Sequence, residues 1–159
     1  MSESGYVHKD FVLNLEKPKD KIFISHSQFA LYKKCPHHWK LKYIDKIKEP
    51  NPSIHTVFGT AMHRVIQEWI QILYLETVKK SDEYDVRAKL LEYIKEEYRI
   101  AYEQNNNVMF TTKEELSEFY VDGLDILLWL RKKRKNFFFC FYEELIGIEL
   151  PLFYEVDGV

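Results

Sequence analysis

Residues 25–43 read S-H-S-Q-F-A-L-Y-K-K-C-P-H-H-W-K-L-K-Y, and beyond a polar loop residues 58–64 read F-G-T-A-M-H-R. Ser27 is a good N-cap, and Phe29, Leu31 and Tyr32 behind it suit a short helix. Cys35-Pro36 should stop or bend that helix, because Pro36 lacks an N–H and pushes Cys35 out of the α region. His37 to Tyr43 is a second short segment in which aromatic and aliphatic side chains alternate with Lys40 and Lys42. The intervening loop, residues 45–57, holds Pro50 and Pro52. Gly59 is then expected to open an amphipathic helix with His63 one turn in.

Working outward, residues 1–21 are polar and mixed in charge, with a short strand expected at Phe11 to Leu15. Ile22 to Ile24 form a second brief strand expectation. Downstream, three long helices are expected. The first runs from Phe58 to Lys80, with Phe58, Met62, Val65, Ile66, Trp69, Ile70 and Leu73 at helical spacing. The second starts at Ser81 or Asp82, uses Val86, Leu90, Ile94, Tyr98 and Ala101, and ends at the turn-prone Asn105-Asn106-Asn107. The third starts at Thr111 or Thr112 with Glu114 and Glu115 in its first turn, and closes in the cations Arg131 to Lys135. From Phe137 the period changes. Phe137 to Tyr142 and Leu145 to Phe153 are rich in β-branched and aromatic residues and read as strands, with a hairpin turn at Val156-Asp157-Gly158-Val159. A hairpin with one arm leaves ladder groups unpaired, so the pattern reads as a domain truncated within its sheet.

Composition narrows the function classes. A hydrophobic fraction of 46% with only five Gly and five Pro describes a globular chain of one domain's length. No run of about eighteen uncharged apolar residues exists, so no membrane span is expected, and the N-terminus lacks the pattern of a secretory signal. Two cysteines, Cys35 and Cys140, make no disulfide framework and fit a reducing, cytoplasmic setting. The net charge of −2 means that any nucleic-acid site must be a local basic patch. Lys33, Lys34, His37, Lys40 and Lys42, interleaved with Tyr32, Trp39 and Tyr43, have the composition for phosphate contacts plus base stacking. Arg131 to Lys135 is a denser run, at a helix end where solvated cations are ordinary. His37 and His38 lie beside Cys35, but no second ligand pair with zinc spacing is present.

Ser25-x-Ser27, the run Leu31-Tyr32-x-x-Cys35-Pro36-x-x-Trp39 and Gly59-x-x-x-His63, in this order, resemble the opening of a RecB-like nuclease domain of the PD-(D/E)XK superfamily. The resemblance covers residues 22–159 and leaves 1–21 as an N-terminal extension. It implies an α+β (α/β) fold, with a helical N-terminal half packing on the mixed β-sheet of a restriction-endonuclease-like core. It implies divalent-metal-dependent DNA cleavage, as an exonuclease in recombination, repair or phage DNA processing, in a bacterial or phage-infected cell. A helicase or recombinase partner comes only from the relatives.

By the same resemblance His63 is the catalytic and metal residue, for Mg²⁺ or Mn²⁺, and Gly59 serves close backbone approach. A helix histidine bonded to a neighbour is the plain alternative. Ser27, Lys33, Lys34, Lys40 and Lys42 would face DNA, and Glu149 falls where relatives often carry a glutamate. Cys35 corresponds to the first ligand of a [4Fe–4S] cluster in some relatives. A cluster needs four thiolates and the chain has two cysteines, so a small buried hydrophobe is the preferred reading of Cys35. The G-x-I-D and D/E-x-K elements that complete the family's site are not spelled before Val159. Asp157 reads as a turn residue, and the chain by itself is expected not to cut. Two rivals stand beside the nuclease, a non-catalytic nucleic-acid-binding module and a helical protein-interaction domain.

Overall fold

The computed structural model describes residues 23–47, 52–138 and 144–150. These fall into two compact units, one holding residues 23–47 and the other holding the rest. The expected strand at Phe11 to Leu15, most of Phe137 to Tyr142, the turn at Val156 to Val159, Cys140 and Asp157 lie outside the described residues.

In the smaller unit α1 spans His26–Lys34 and α2 spans Pro36–Trp39, followed by a five-residue π turn, Lys40–Ile44. Phe23 and Ile24 are not in a strand. The cap of α1 is Ser25, whose Oγ accepts the N–H of Gln28 at 3.2 Å. Ser27 sits in the first turn, its hydroxyl 2.9 Å from that of Ser25, so the expected cap is displaced by two residues. Cys35 breaks the helix as its sequence predicts, with extended backbone at φ −159°, and Pro36 occupies the first position of α2, where a missing N–H costs nothing.

The larger unit contains α3 (Ile54–Leu75), α4 (Val78–Glu83), α5 (Val86–Gln104), α6 (Lys113–Lys132) and α7 (Arg134–Phe137). Among these described residues no β-sheet is seen, so the expected mixed sheet beneath a helical half is corrected to an all-helical arrangement. Two local causes are visible. Arg131 and Arg134 both turn onto Asp82, and the Phe138 N–H bonds back to the Arg134 carbonyl at 2.8 Å, which coils the start of the aromatic run as α7. Residues 144–150 carry bends and one isolated bridge at Gly147, and Glu149 has φ 56°, which no regular strand tolerates. A short apolar run fixes neither period by itself.

Helix boundaries also move. Ser53 caps α3 by accepting the His55 N–H, so the helix begins five residues before Gly59 and recruits Ile54, Val57 and Ala61 into its buried face. The chain breaks at Glu76 and Thr77, and α5 is capped by Asp85, which accepts from Arg87 and Ala88, rather than by Ser81 or Asp82. Asn105–Asn107 do end α5, with Asn106 and Asn107 at positive φ, and Thr112 caps α6 over Glu114 and Glu115.

Ala61, Met62 and Val65 of α3 meet Val86, Leu90, Tyr93 and Ile94 of α5 and Leu127 of α6 in one core. Gly123 of α6 makes that junction close. An added Cβ would lie 2.7 Å from the Phe58 ring, 3.0 Å from the Met62 sulfur and 3.1 Å from Leu90. Above the core, Arg64 bonds Glu96 at 2.9 Å and Glu97 at 3.0 Å and lies over the Tyr93 ring. Glu68 accepts from the Tyr84 hydroxyl at 2.6 Å and from that of Tyr93. Burial first, then the Glu68 carboxylate, holds both phenols well above the ordinary tyrosine range.

Two outcomes follow from this packing. Gly123→Ala should lower unfolding stability by about 1–3 kcal/mol in denaturant titration, because overpacking outweighs the helix-propensity gain. Both phenols bind their protons more tightly when folded, so stability holds below the ordinary tyrosine value of 10.0 and falls as pH rises above it. Replacing Tyr84 and Tyr93 by Phe should flatten that alkaline loss in melts recorded against pH; an unchanged slope would exclude the pair as its source.

Candidate metal and nucleic-acid site

Helix α3 buries Met62 and Val65, and the geometry of an α-helix then turns His63 outward between them. The His63 side chain is 59% exposed, and its Nδ1 lies 2.9 Å from Oε1 of Glu149. Gln67, one turn on and buried, places its side-chain amide 3.3 Å from the same Nδ1. The two residues expected separately, His63 as ligand and Glu149 as an accessory, are therefore brought together across 86 positions of sequence. Gly59 lies one turn before His63, inside the helix rather than at its entry. A Cβ on it would meet nothing within 4 Å among the described residues, so that side of α3 is open at the backbone.

An imidazole nitrogen and a carboxylate oxygen are a sound donor pair for Mg²⁺ or Mn²⁺. They are a partial set. Among the described residues no group of three His, Cys, Asp or Glu converges, so the pair fits one edge of a metal site and not a whole one.

The smaller unit carries the basic patch. Residues 23–47 hold five lysines against a single aspartate, Asp45, in a chain whose net charge is −2. Lys33, Lys34, Lys40 and Lys42 are exposed, and among the described residues none pairs with a carboxylate. Trp39 packs edge-on to Tyr32 at 5.4 Å and lies 6.4 Å from Tyr43, and Lys42 sits over the Tyr43 ring. Cations and aromatic rings thus share one small scaffold. The second run behaves differently. Arg131 donates to the Asp82 and Tyr84 carbonyls and Arg134 to the Asp82 carboxylate, which gives both a structural role at the α4 end. A shallow open groove along α6, lined by Lys113, Glu114, Ser117, Glu118, Val121 and Asp122, has three carboxylates to one cation and does not suit a polyanion.

Cys35 is exposed, which corrects the reading of it as a buried hydrophobe. Its sulfur accepts the His38 N–H at 3.4 Å and caps α2. No cluster or zinc set is formed around it among the described residues.

Sequence reasoning missed Ser25 as the cap of α1, Gln67 beside His63, and the directness of the His63–Glu149 contact. Gln67 was legible as the residue one helical turn from His63, where i and i+4 side chains meet.

A family model described as the PD-(D/E)XK nuclease superfamily matches residues 24–152. No curated protein and no solved structure gives a significant match. No described helix is long and apolar enough to cross a membrane.

The cap at Cys35 gives a direct check. A hydroxyl accepts better than a thiol, so Cys35→Ser should slow exchange of the His38 amide, and Cys35→Ala should speed it at a cost of about 0.5–1 kcal/mol.

Proposed function

The chain belongs to the PD-(D/E)XK nuclease superfamily, and on that premise we propose that it supplies the histidine side of a RecB-like, divalent-metal-dependent site for cleaving DNA phosphodiesters. The observation that carries this reading is the pairing of His63 with Glu149 on an open stretch of α3. His63, assisted by Glu149, would hold Mg²⁺ or Mn²⁺. When bound, such an ion activates water and offsets charge on the phosphate oxygens. The chain's own part is to fix the imidazole on a rigid, buried helix and to leave its outer side accessible.

The basic unit serves a different purpose in this reading. Lys33, Lys34, Lys40 and Lys42 neutralise the DNA backbone, with Ser27 on the same unit as a further polar contact. Trp39 and its ring neighbours offer stacking surface to exposed bases. An exonuclease role in recombination, repair or phage DNA processing fits a family of this kind, as does a helicase or recombinase partner. The G-x-I-D and D/E-x-K elements that complete such a site in relatives are not spelled in residues 1–159.

A binding module without chemistry is favoured by one specific observation, the lack of a third converging ligand among the described residues. End-labelled DNA separates the two. With Mn²⁺ present, degradation is measured for the chain and for the chain continued through any coding sequence that follows Val159, each against its His63→Ala variant. The nuclease reading expects cutting by at least one of the two forms, reduced about 100-fold or more by His63→Ala (a loss on the order of 3 kcal/mol in the barrier). Binding without cutting in either form would leave the module.

Charge reversal tests the surface separately. Changing Lys33, Lys34, Lys40 and Lys42 to Glu should weaken DNA binding and flatten its dependence on salt, since fewer counterions are released. The same reversal at Lys132, Lys133 and Lys135 should have the smaller effect. Equal losses at both places would assign the affinity to net charge alone.

A further inference from the structure

Lys132, Lys133 and Lys135 are cations that the DNA reading leaves unused. Arg131 and Arg134 bond Asp82, which fixes the junction of α6 and α7 against the end of α4. The three lysines beside them are exposed, and among the described residues none forms an ion pair. Cations at a helix end are ordinary. What they surround here is not. Trp129 is 50% exposed and Phe137 is 59% exposed, and their rings meet at 5.5 Å. Ile126, one turn before Trp129 on α6, is 47% exposed and extends the apolar surface. Lys132 and Lys133 follow one turn after Trp129 and flank its ring from the other side. A single exposed ring needs no explanation, but two packed together beside an aliphatic side chain and free cations form a joint surface.

A nucleic-acid backbone needs a basic track, and this patch does not continue as one. Back along α6 the exposed charges are Asp125, Asp122 and Glu118, which would repel the next phosphates. The two rings are tilted by 42° against each other, not set apart as platforms for successive bases. A short occupant whose negative charge ends where its apolar side chains begin avoids those carboxylates. We propose that the α6–α7 end docks an acidic linear segment of a partner protein, with an aromatic or aliphatic anchor next to its carboxylates. The anchor covers Ile126, Trp129 and Phe137, and the carboxylates face Lys132, Lys133 and Lys135. Asp125 sets the direction, with the acidic end of the segment lying away from it. The site is independent of His63 and of the lysines of the smaller unit.

The probe is a short peptide with a run of glutamates followed by a Phe-Leu pair, titrated into the intact ¹⁵N-labelled chain. The tryptophans Trp39, Trp69 and Trp129 give separate indole N–H signals. The Trp129 signal should move and saturate while that of Trp39 stays in place. Serine in place of the Phe-Leu pair, or glutamine in place of the glutamates, should each weaken binding about 10-fold or more. Changing Lys132, Lys133 and Lys135 to Glu should do the same, with the melting temperature showing that the fold is kept. Changing Lys33, Lys34, Lys40 and Lys42 to Glu should leave peptide affinity unchanged, whatever it does to DNA binding. A Trp129 signal that never moves, or that moves equally for the glutamine peptide, overturns the proposal. A single-stranded oligonucleotide or a phosphatidylglycerol vesicle that moves the Trp129 signal at lower concentration than the peptide also overturns it, and reassigns the patch to nucleic acid or to a membrane surface.

Discussion

Everything placed around His63 depends on the burial of one face of α3. Val57, Ala61, Val65 and Trp69 are almost wholly excluded from solvent, and Leu90 and Ile94 of α5 are packed as tightly. Interiors at that density do not let a helix rotate, because a turn of even part of a residue would expose methyl groups and bury the charge of Arg64. The side chain of His63 is consequently directed by its neighbours and not by its own contacts. Gly123 tightens the same constraint, since its missing side chain is what lets α6 reach Phe58, Met62 and Leu90 together. The polar layer of Arg64, Glu68, Glu96, Glu97 and Tyr93 then pins α3 to α5 along the partly solvated edge.

Charge is divided by task. A net charge of −2 conceals a small unit with five lysines and one aspartate. Its cations are unpaired among the described residues, and its rings are grouped around Trp39. In the larger unit the arginines Arg131 and Arg134 are consumed by Asp82 and by backbone carbonyls. The denser basic run is therefore the less available one. Counting cations along the chain ranks the two stretches in the reverse of the order that their partners dictate.

Helix identity was largely legible, because Met62, Val65, Trp69, Leu90, Ile94 and Leu127 recur at a spacing that only a helix buries on one side. Boundaries were less so: Ser25, Ser53 and Asp85 outcompete nearby residues of similar capping strength, and local sequence does not say which will find its amide. The sheet was the larger miss. Phe137 carries strand-like chemistry, yet Arg134 is tied to Asp82, 52 positions away, and Phe137 closes the short helix α7 that Arg134 opens. His63 was singled out through its motif, with Glu149 given only a minor role. The two touch across 86 positions of sequence, and Glu149 sits at positive φ; neither composition nor period announces either fact.

Pulsed electron paramagnetic resonance of Mn²⁺ added to the chain, with histidine nitrogens labelled as ¹⁵N, tests the central claim most directly. The account predicts modulation from one histidine nitrogen coordinated to the ion, absent in His63→Ala and present when the other five histidines are replaced. Mn²⁺ bound with no histidine coupling, or with coupling that survives His63→Ala, would contradict it.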